Sequence, residues 1–345
     1  MGNEVNTIQI QTDYVSIVEE TVQYLDYVKS CCGKLSNAED EQYQRLQSSF
    51  LVKMETLCDK FEHVAVDIPL EEISVHKAYF REKLHPIIMS SKIVERIFTK
   101  PLGYPGDYEM INMLMGETDL SSSDLFSLLI DEMHRTARTA RAHKNRITMV
   151  GERLGYEVEN VTKQERLFSV LCIGCGPALE LQQFILNNEH SNNCFIHVVD
   201  FNQDSIDNIH QTLSDLSKVN QRNNIIEANY ISLTGLLDSK SSNYIGNIQA
   251  YDMVYCAGLF DYIPDELCRK VVNFGYSCLR NSGVLTVTNI HPNVPNKQYL
   301  EHALEWNFIY RDENKLGLLS PSSLNSQVTT DETGLNVFLD VRRLN

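Results

Sequence analysis

The sequence of 345 residues lacks any apolar stretch that approaches the roughly 20 residues needed to cross a bilayer. Its first residues also lack the basic and then apolar pattern of a secretory signal, so we expect a cytoplasmic protein. Positive charge is scarce, because 30 Lys and Arg stand against 46 Asp and Glu, a formal net charge of −16. This excess of acid argues against nucleic acid and against an anionic membrane as partners.

A disulfide pattern is also missing, although cysteine itself is not scarce. The nine cysteines are odd in number and are scattered over segments that read as core elements. Cys172 and Cys175 have Cys-x-x-Cys spacing, but no second Cys pair or Cys-His pair stands at a suitable distance along the chain. We therefore expect buried, reduced thiols and no metal site.

The first part of the chain, residues 1–160, reads as a helical domain. Apolar side chains recur at helical spacing from Val15 to Val28 and again from Leu46 to Phe61. Further predicted elements are a helix over 71–84 that Pro86 ends or redirects, a loop over 100–109, an N-cap region at 121–124 and a long helix from there to about Leu154.

Residues 161–345 have a different sequence pattern, in which short runs typical of β-strands alternate with helical stretches. The predicted strands are 168–173, 195–199, 224–226, 251–255 and 283–289, and the predicted helices between them are 178–188, 204–218 and 265–280. Such alternation predicts βαβ units and a mostly parallel sheet. The tail adds predicted strands at 306–310 and 337–341, with a polar link over 320–335 between them.

The sharpest motif is a glycine turn at the end of the first of these strands. Gly174 and Gly176 let the backbone pass close to a ligand, and a helix that starts directly afterwards offers free N–H groups. Asp200 ends the next strand, where a carboxylate can accept both hydroxyl protons of a ribose. A dinucleotide fingerprint would need glycine at position 179, which is Leu179, so the motif suits another nucleoside better than NAD.

These residues resemble motif I and the acidic strand end of the class I S-adenosylmethionine-dependent methyltransferases. The resemblance implies a Rossmann-like α/β domain with a mostly parallel seven-stranded sheet and helices on both faces, preceded by an α-helical lid domain. It implies S-adenosylmethionine as cofactor, with Asp200 on the ribose and Phe201 near the adenine. It also implies that the loop after the third strand, which holds Asn229 and Tyr230, faces the adenine edge, and many members carry Asp where this chain has Asn229. The implied cofactor-binding residues are Gly174, Cys175, Gly176, Asp200, Phe201, Asn229, Tyr230, Ala257 and Gly258.

A second resemblance is narrower, and the two resemblances together cover roughly residues 95–345. The segment 100–113, an Arg-rich helix, Leu259 to Tyr262, and a Trp-x-x-x-Tyr-Arg stretch ending at Arg311 are similar to the bacterial enzymes that form 3-hydroxypalmitate methyl ester. The chain also resembles the azetidine-2-carboxylate synthases, which use S-adenosylmethionine as their sole substrate. The first of these groups also combines a helical N-terminal half with a class I domain, and the class I family places its reaction pocket after the fourth strand, here at 256–262.

Several side chains are candidates for the chemistry, each with a structural alternative. Tyr104, Asp107 and Tyr108 form either a lid loop that supplies aromatic faces to a sulfonium or a structural turn. Asp261 is a candidate base or a helix cap, and His291 is a candidate catalytic or structural histidine. Tyr262 and Tyr310 are assigned to the substrate pocket. Asn145 and Arg146 are placed just before the strand that leads into the glycine turn, and they either hold the cofactor carboxylate or form a solvated helix face.

Three functions remain open at this stage. The first is methyl transfer to a carboxylate, hydroxyl or amine of a small molecule, for example in secondary metabolism. The second is intramolecular cyclisation of S-adenosylmethionine to azetidine-2-carboxylate with release of methylthioadenosine. The third is a non-catalytic cofactor-binding module, and in each case we expect a monomer or a homodimer.

Overall fold

The structure is a computed structural model that describes residues 9–121, 123–238 and 249–344. It groups the chain into a helical unit, residues 1–140 with 295–307, and a sheet unit, residues 141–294 with 308–345. Within the described ranges no helix combines the length and the apolar character that a membrane crossing requires. The expectation that the first residues carry no signal concerns residues 1–8, outside those ranges.

The helices before the sheet are α1 Thr12–Cys32, α2 Glu41–Ala65, α3 Ile73–Ile88, α4 Lys92–Thr99, α5 Tyr108–Met115, α6 Leu125–Thr136 and α7 Arg138–Thr162. The following elements are β1 Phe168–Ile173, α8 Leu179–Asn187, β2 Cys194–Asp200, α9 Gln203–Val219, β3 Ile225–Tyr230, α10 Leu233–Leu237, β4 Tyr251–Cys256, α11 Asp265–Cys278 and β5 Leu279–Ile290. The last are α12 Lys297–Ala303, α13 Glu313–Gly317, β6 Asn325–Thr330 and β7 Asn336–Arg342.

The division of the chain differs from the predicted boundary at 160/161. The helix α7 accounts for the difference, because its side chains Val150, Leu154 and Val158 belong to the core of the sheet unit. Apolar periodicity shows that α7 is amphipathic but does not tell which unit receives its apolar face.

Two helix predictions for the helical unit are wrong in detail. Pro86 does not end α3, which continues to Ile88, because Ile87 and Ile88 are buried and their packing outweighs one lost hydrogen bond. The single long helix predicted up to Leu154 is two helices, α6 and α7, separated at Ala137 with extended backbone (ψ 150°). In the predicted N-cap region 121–124, Asp124 caps α6, while residue 122 is outside the described ranges.

The helix α12 comes late in the chain but belongs to the helical unit. The Glu62 carboxylate accepts the backbone N–H groups of Gln298 and Tyr299 at 3.0 Å each, and so satisfies donors in the first turn of α12. Farther along, His302 Nδ1 lies 2.8 Å from the buried Tyr14 hydroxyl. The core of the helical unit therefore contains side chains from two distant parts of the sequence.

The sheet unit contains one seven-stranded sheet of order β3-β2-β1-β4-β5-β7-β6. The strands β1 to β5 run parallel, and β7 is antiparallel to both β5 and β6. One face is covered by α7, α8 and α9, and the opposite face is covered by α10 and α11. The predicted Rossmann-like class I methyltransferase fold, with its mostly parallel sheet between helices, is confirmed.

Two predictions for the tail are wrong. The strand β6 lies inside the predicted polar link, where a hydrophobic pattern does not reveal it because it is an exposed edge strand of polar residues. No strand forms over the predicted stretch 306–310. The backbone of Ile309 instead bonds to the Asp261 carbonyl at 2.8 Å and to the Asn289 side chain at 2.9 Å, so no ladder is available to it.

Candidate functional site

The glycine turn joins β1 to α8 at the carboxyl edge of the sheet. The N–H groups of Gly174 and Cys175 both donate to the carbonyl of Val199, at 2.8 and 3.2 Å. Gly174 and Gly176 have φ of +68° and +50°, which glycine adopts without the strain that a Cβ would impose. The turn is thus tied to the end of β2, the strand that carries the acidic candidate.

Asp200 lies directly against this turn and is 2% exposed. Its Oδ2 accepts the Gly176 N–H at 3.0 Å, and its Oδ1 accepts the Asn202 N–H at 3.0 Å. Burial raises the pKa of Asp200, while these backbone donors lower it. Since a carboxylate has about four acceptor positions, each oxygen retains capacity for a further hydroxyl donor.

The two glycines of the turn face different surroundings. A Cβ on Gly174 would stand 3.3 Å from Cζ of Phe201 and 3.6 Å from Cβ of Leu259, so the ring packs on the turn. A Cβ on Gly176 would meet no described atom within 4 Å. Space is therefore open at Gly176, next to the Asp200 carboxylate, where a ligand can approach the backbone.

The two candidates Asn229 and Tyr230 lie in β3 and not in a loop after it. Tyr230 pairs with Asp200 in the sheet and is exposed. The Asn229 Oδ1 lies 2.7 Å from Nε2 of the buried His197, whose Nδ1 lies 2.6 Å from the Tyr251 hydroxyl. Burial lowers the pKa of His197, which favours a neutral imidazole that fixes the Asn229 amide. One part of that amide is thus already engaged within the sheet.

Arg146 lies at the end of β4, although it belongs to the first half of α7 and not to the residues just before β1. Its guanidinium nitrogens are 3.3 Å from the position that a Cβ on Gly258 would take, and Gly258 has φ of +107°. Its Nη1 is 3.5 Å from Oδ2 of Asp261. Ala257, which precedes Gly258, packs partly buried against the sheet core. The structure thus brings Arg146, Gly258 and Asp261 together.

Asp261 lies in the turn after β4 and does not cap α11, whose N-cap residue is Pro264. Its Oδ1 accepts the Ile290 N–H at 2.7 Å. Burial raises the pKa of Asp261 to about 6, and the charge of Arg146 and the bond from Ile290 oppose this rise. A carboxylate with a pKa near neutrality is suited to accept a proton at working pH.

Two other predicted residues of the sheet unit have structural partners. Asn145 donates from Nδ2 to the Asp331 carboxylate at 3.0 Å, which ties α7 to the turn between β6 and β7. His291 accepts the Asn293 N–H on Nδ1 at 3.1 Å, and its Nε2 is 3.5 Å from the Glu313 carboxylate. Their side chains are used to hold loops in place.

The aromatic candidates Tyr262 and Tyr310 both pack on Phe308, each with ring centroids 5.8 Å apart. The next residue, Arg311, is fully buried and donates to the carbonyls of Phe260 and Ile263 at 2.6 and 2.8 Å. Arg311 therefore fixes the turn that carries Asp261 and Tyr262, a role that the sequence pattern alone did not indicate.

The remaining candidates, Tyr104, Asp107 and Tyr108, belong to the helical unit. Asp107 is fully buried, caps α5 by accepting the Met110 N–H at 2.8 Å, and pairs with Arg96 Nε at 2.8 Å. Tyr108 is the first residue of α5, so the predicted loop ends earlier than 109. The contacts of Asp107 are those of a structural residue, whereas Tyr104 and Tyr108 are partly buried.

One buried carboxylate near the glycine turn is absent from the sequence-based candidates. Glu180 lies in the first turn of α8, is 7% exposed, and accepts the Tyr255 hydroxyl at 2.7 Å. Burial raises its pKa, and the Tyr255 bond and the charge of Arg146 lower it. The sequence could have pointed to Glu180, because it stands between Leu179 and Leu181 at the start of a helix with an apolar face. A glutamate is rarely buried unless it has a partner or a role.

Potential metal ligands are not clustered in the described part of the chain, where no group of three His, Cys, Asp or Glu side chains is arranged to hold an ion. All nine cysteines are free thiols, and all except Cys31 are buried.

No family model matches the chain, and no curated protein matches it. Among solved structures, it is similar to a possible exported protein from Bordetella parapertussis, at 14% identity over 89% of this chain and 99% of that one, with a TM-score of 0.49. It is also similar to magnesium protoporphyrin IX methyltransferase from Synechocystis PCC 6803 with bound SAH, at 12% identity over 73% and 99% of the two chains, with a TM-score of 0.44. The methyltransferase SibL gives 13% identity, 88% and 96% coverage and a TM-score of 0.43.

Proposed function

We propose that this chain is an S-adenosylmethionine-dependent methyltransferase that acts on a small molecule, and that its sheet unit binds the cofactor. The observation that supports this most directly is the 3.0 Å bond from the Gly176 N–H to the buried Asp200 carboxylate. It joins a turn that a ligand can approach closely to an acceptor suited to ribose hydroxyls. A nucleoside cofactor needs both features at one place.

The residues around this bond fit the parts of the cofactor. Asp200 accepts the ribose hydroxyls, and the Phe201 ring, packed on Gly174, offers an apolar wall to the base. Arg146, beside Gly258, offers a guanidinium to the carboxylate of the amino-acid tail. Binding therefore uses the carboxyl ends of β1, β2 and β4, where ligands of open α/β sheets gather.

S-adenosylmethionine supplies an electrophilic methyl group on a sulfonium. The protein has to hold the acceptor in line at about 3 Å and to exclude water, so little covalent help is required. A carboxylate acceptor needs no base. For an amine or a hydroxyl, Asp261 is the candidate proton acceptor, because burial raises its pKa to about 6. Tyr262 directly follows Asp261 in the sequence, and the Tyr262 and Tyr310 rings both pack on Phe308. These three rings are candidates to line the space for the methyl acceptor.

The experiment is an incubation with S-adenosylmethionine carrying a labelled methyl group, alone and with pools of small carboxylates, hydroxyls and amines, followed by mass spectrometry. Label in an acceptor together with S-adenosylhomocysteine supports methyl transfer. Methylthioadenosine formed without any acceptor would overturn it in favour of cyclisation. Calorimetric binding of S-adenosylhomocysteine without turnover in any pool would overturn it in favour of a binding module.

A further inference from the structure

We propose that Glu180 binds the ammonium group of the cofactor's amino-acid tail, so that Glu180 and Arg146 together recognise a zwitterion. This inference rests on the proposed function, because it assigns a residue to the tail of that same cofactor. It adds to the site a specificity-determining carboxylate that distinguishes an S-adenosyl amino acid from nucleosides without a free amine.

Glu180 lies close to the glycine turn and contacts the strand β4. Glu180 comes four residues after Gly176, in the first turn of α8. It is buried, as are Leu179 and Leu181 on either side of it in the sequence. Its carboxylate reaches β4, where Oε1 accepts the Tyr255 hydroxyl at 2.7 Å. The carboxylate is therefore held behind the glycine turn, between the ends of β1 and β4.

The charges around Glu180 also support this inference. Tyr255 and its own backbone N–H, both neutral, stabilise the carboxylate. No cationic side chain of the described ranges forms an ion pair with it. The positive charge of Arg146 lowers the pKa of Glu180, but the Arg146 guanidinium lies 3.5 Å from the Asp261 carboxylate. Burial of an ionised carboxylate without a paired cation is costly, so a cation that arrives beside Glu180 would stabilise its charged form.

The neutral groups beside Glu180 support it as well. Burial raises the pKa of the Cys172 and Cys175 thiols and of the Tyr255 phenol, so these groups stay uncharged. A cationic ligand near Glu180 therefore meets no opposing positive charge from these three groups, while the nearby Asp200 carboxylate accepts the Gly176 N–H at 3.0 Å. The α-carbon of an amino acid carries an ammonium and a carboxylate side by side, which matches Glu180 and Arg146.

The test is a thermodynamic cycle by calorimetry. Wild type and Glu180→Gln are each titrated with S-adenosylhomocysteine and with its analogue in which hydrogen replaces the α-amino group. Glutamine keeps the shape and an acceptor for Tyr255 but removes the charge. We expect Glu180→Gln to weaken S-adenosylhomocysteine about 10- to 100-fold, the range for one charge-assisted hydrogen bond, and to leave the analogue unchanged.

Two further variants serve as controls. Glu189→Gln removes an exposed carboxylate of the same unit and should change neither affinity. Glu180→Asp keeps the charge but withdraws it by one methylene, so it should retain part of the preference for the amine, and melting curves verify that each variant is folded.

The outcomes separate this inference from the proposed function. Equal losses for both ligands in Glu180→Gln, or no loss for either, would overturn the role of Glu180 while leaving cofactor binding intact. Equal affinity of wild type for the two ligands would do the same without any variant. Failure of wild type to bind either ligand would instead overturn the proposed function, and this inference with it.

Discussion

Asp107 in the helical unit and Asp200 in the sheet unit are both buried aspartates next to a glycine-containing turn. Asp107 pairs with Arg96 at 2.8 Å and also caps α5. Within the described residues Asp200 forms no ion pair, and it accepts the backbone N–H groups of Gly176 and Asn202, with the Cys175 thiol as a further donor. The first carboxylate is satisfied by the fold alone. The second retains acceptor capacity beside open space, which is the condition for binding a ligand.

A similar contrast is seen for four further carboxylates. In the helical unit, the partly buried Glu62 accepts two N–H groups of α12 and the buried Asp131 accepts the Ser91 hydroxyl, so both hold helix ends. In the sheet unit, Glu180 lies in the first turn of α8 and Asp261 in the turn after β4, and burial raises the pKa of each. The first two carboxylates hold helix termini, whereas the second two lie near the candidate ligand site.

The largest effect that sharpens this comparison is expected for Asp107→Ala. The free energy of unfolding should fall by about 3 kcal/mol or more, because Arg96 loses its buried partner and α5 loses its cap. Chemical denaturation measures it. Asp119→Ala, which removes an exposed aspartate with one backbone donor, should cost less than about 1 kcal/mol. Lost activity at unchanged stability would instead make Asp107 a catalytic residue.

The second largest effect is expected for Asp200→Ala, which should weaken cofactor binding more than it lowers the free energy of unfolding. We expect affinity for S-adenosylhomocysteine to fall about 100-fold, since two hydroxyl bonds to a charged acceptor are lost at about 1.5 kcal/mol each. Calorimetry measures the affinity. Asp204→Ala, an exposed change at the start of α9, serves as the matched control. Unchanged affinity in Asp200→Ala would remove the distinction between the two aspartates.

The smallest effect concerns the pH dependence of stability through Asp261. Its folded pKa, about 6, lies above the ordinary value of 3.8, so the folded state holds this proton more tightly than the unfolded state does. The resulting stabilisation is complete below about pH 4 and is lost as pH rises through 6. Denaturation series of wild type and Asp261→Asn should diverge over that window. Parallel pH profiles would contradict it.

The sequence predicted those helices and strands whose buried residues are also apolar and recur at the spacing of the element. The strands β1 and β4 are buried throughout and mostly apolar, so their runs were visible, and Asp200 stood out as the acidic end of β2. The edge strand β6 was not visible, because its polar residues need no core. Pro86 misled the prediction of α3, since packing beyond it is a tertiary effect.

The candidate site was predictable where a motif fixes the backbone and less so where partners are distant in sequence. Spacing could not tell that Asn145 would bond to Asp331, or that Asp107 would pair with Arg96. It also could not show that Glu180, one turn after the glycines, points into the interior and meets Tyr255. These outcomes depend on which elements the fold brings side by side.

The membership of α12 in the helical unit has a consequence for how the chain can be divided. A truncation at residue 140 would remove Tyr299 and His302 and leave Glu62 and Tyr14 without the groups they bond. Neither unit is a continuous stretch of polypeptide, so neither can be exchanged between proteins as a simple cassette. Any recombination or fragment experiment has to carry residues 295–307 along with the first 140.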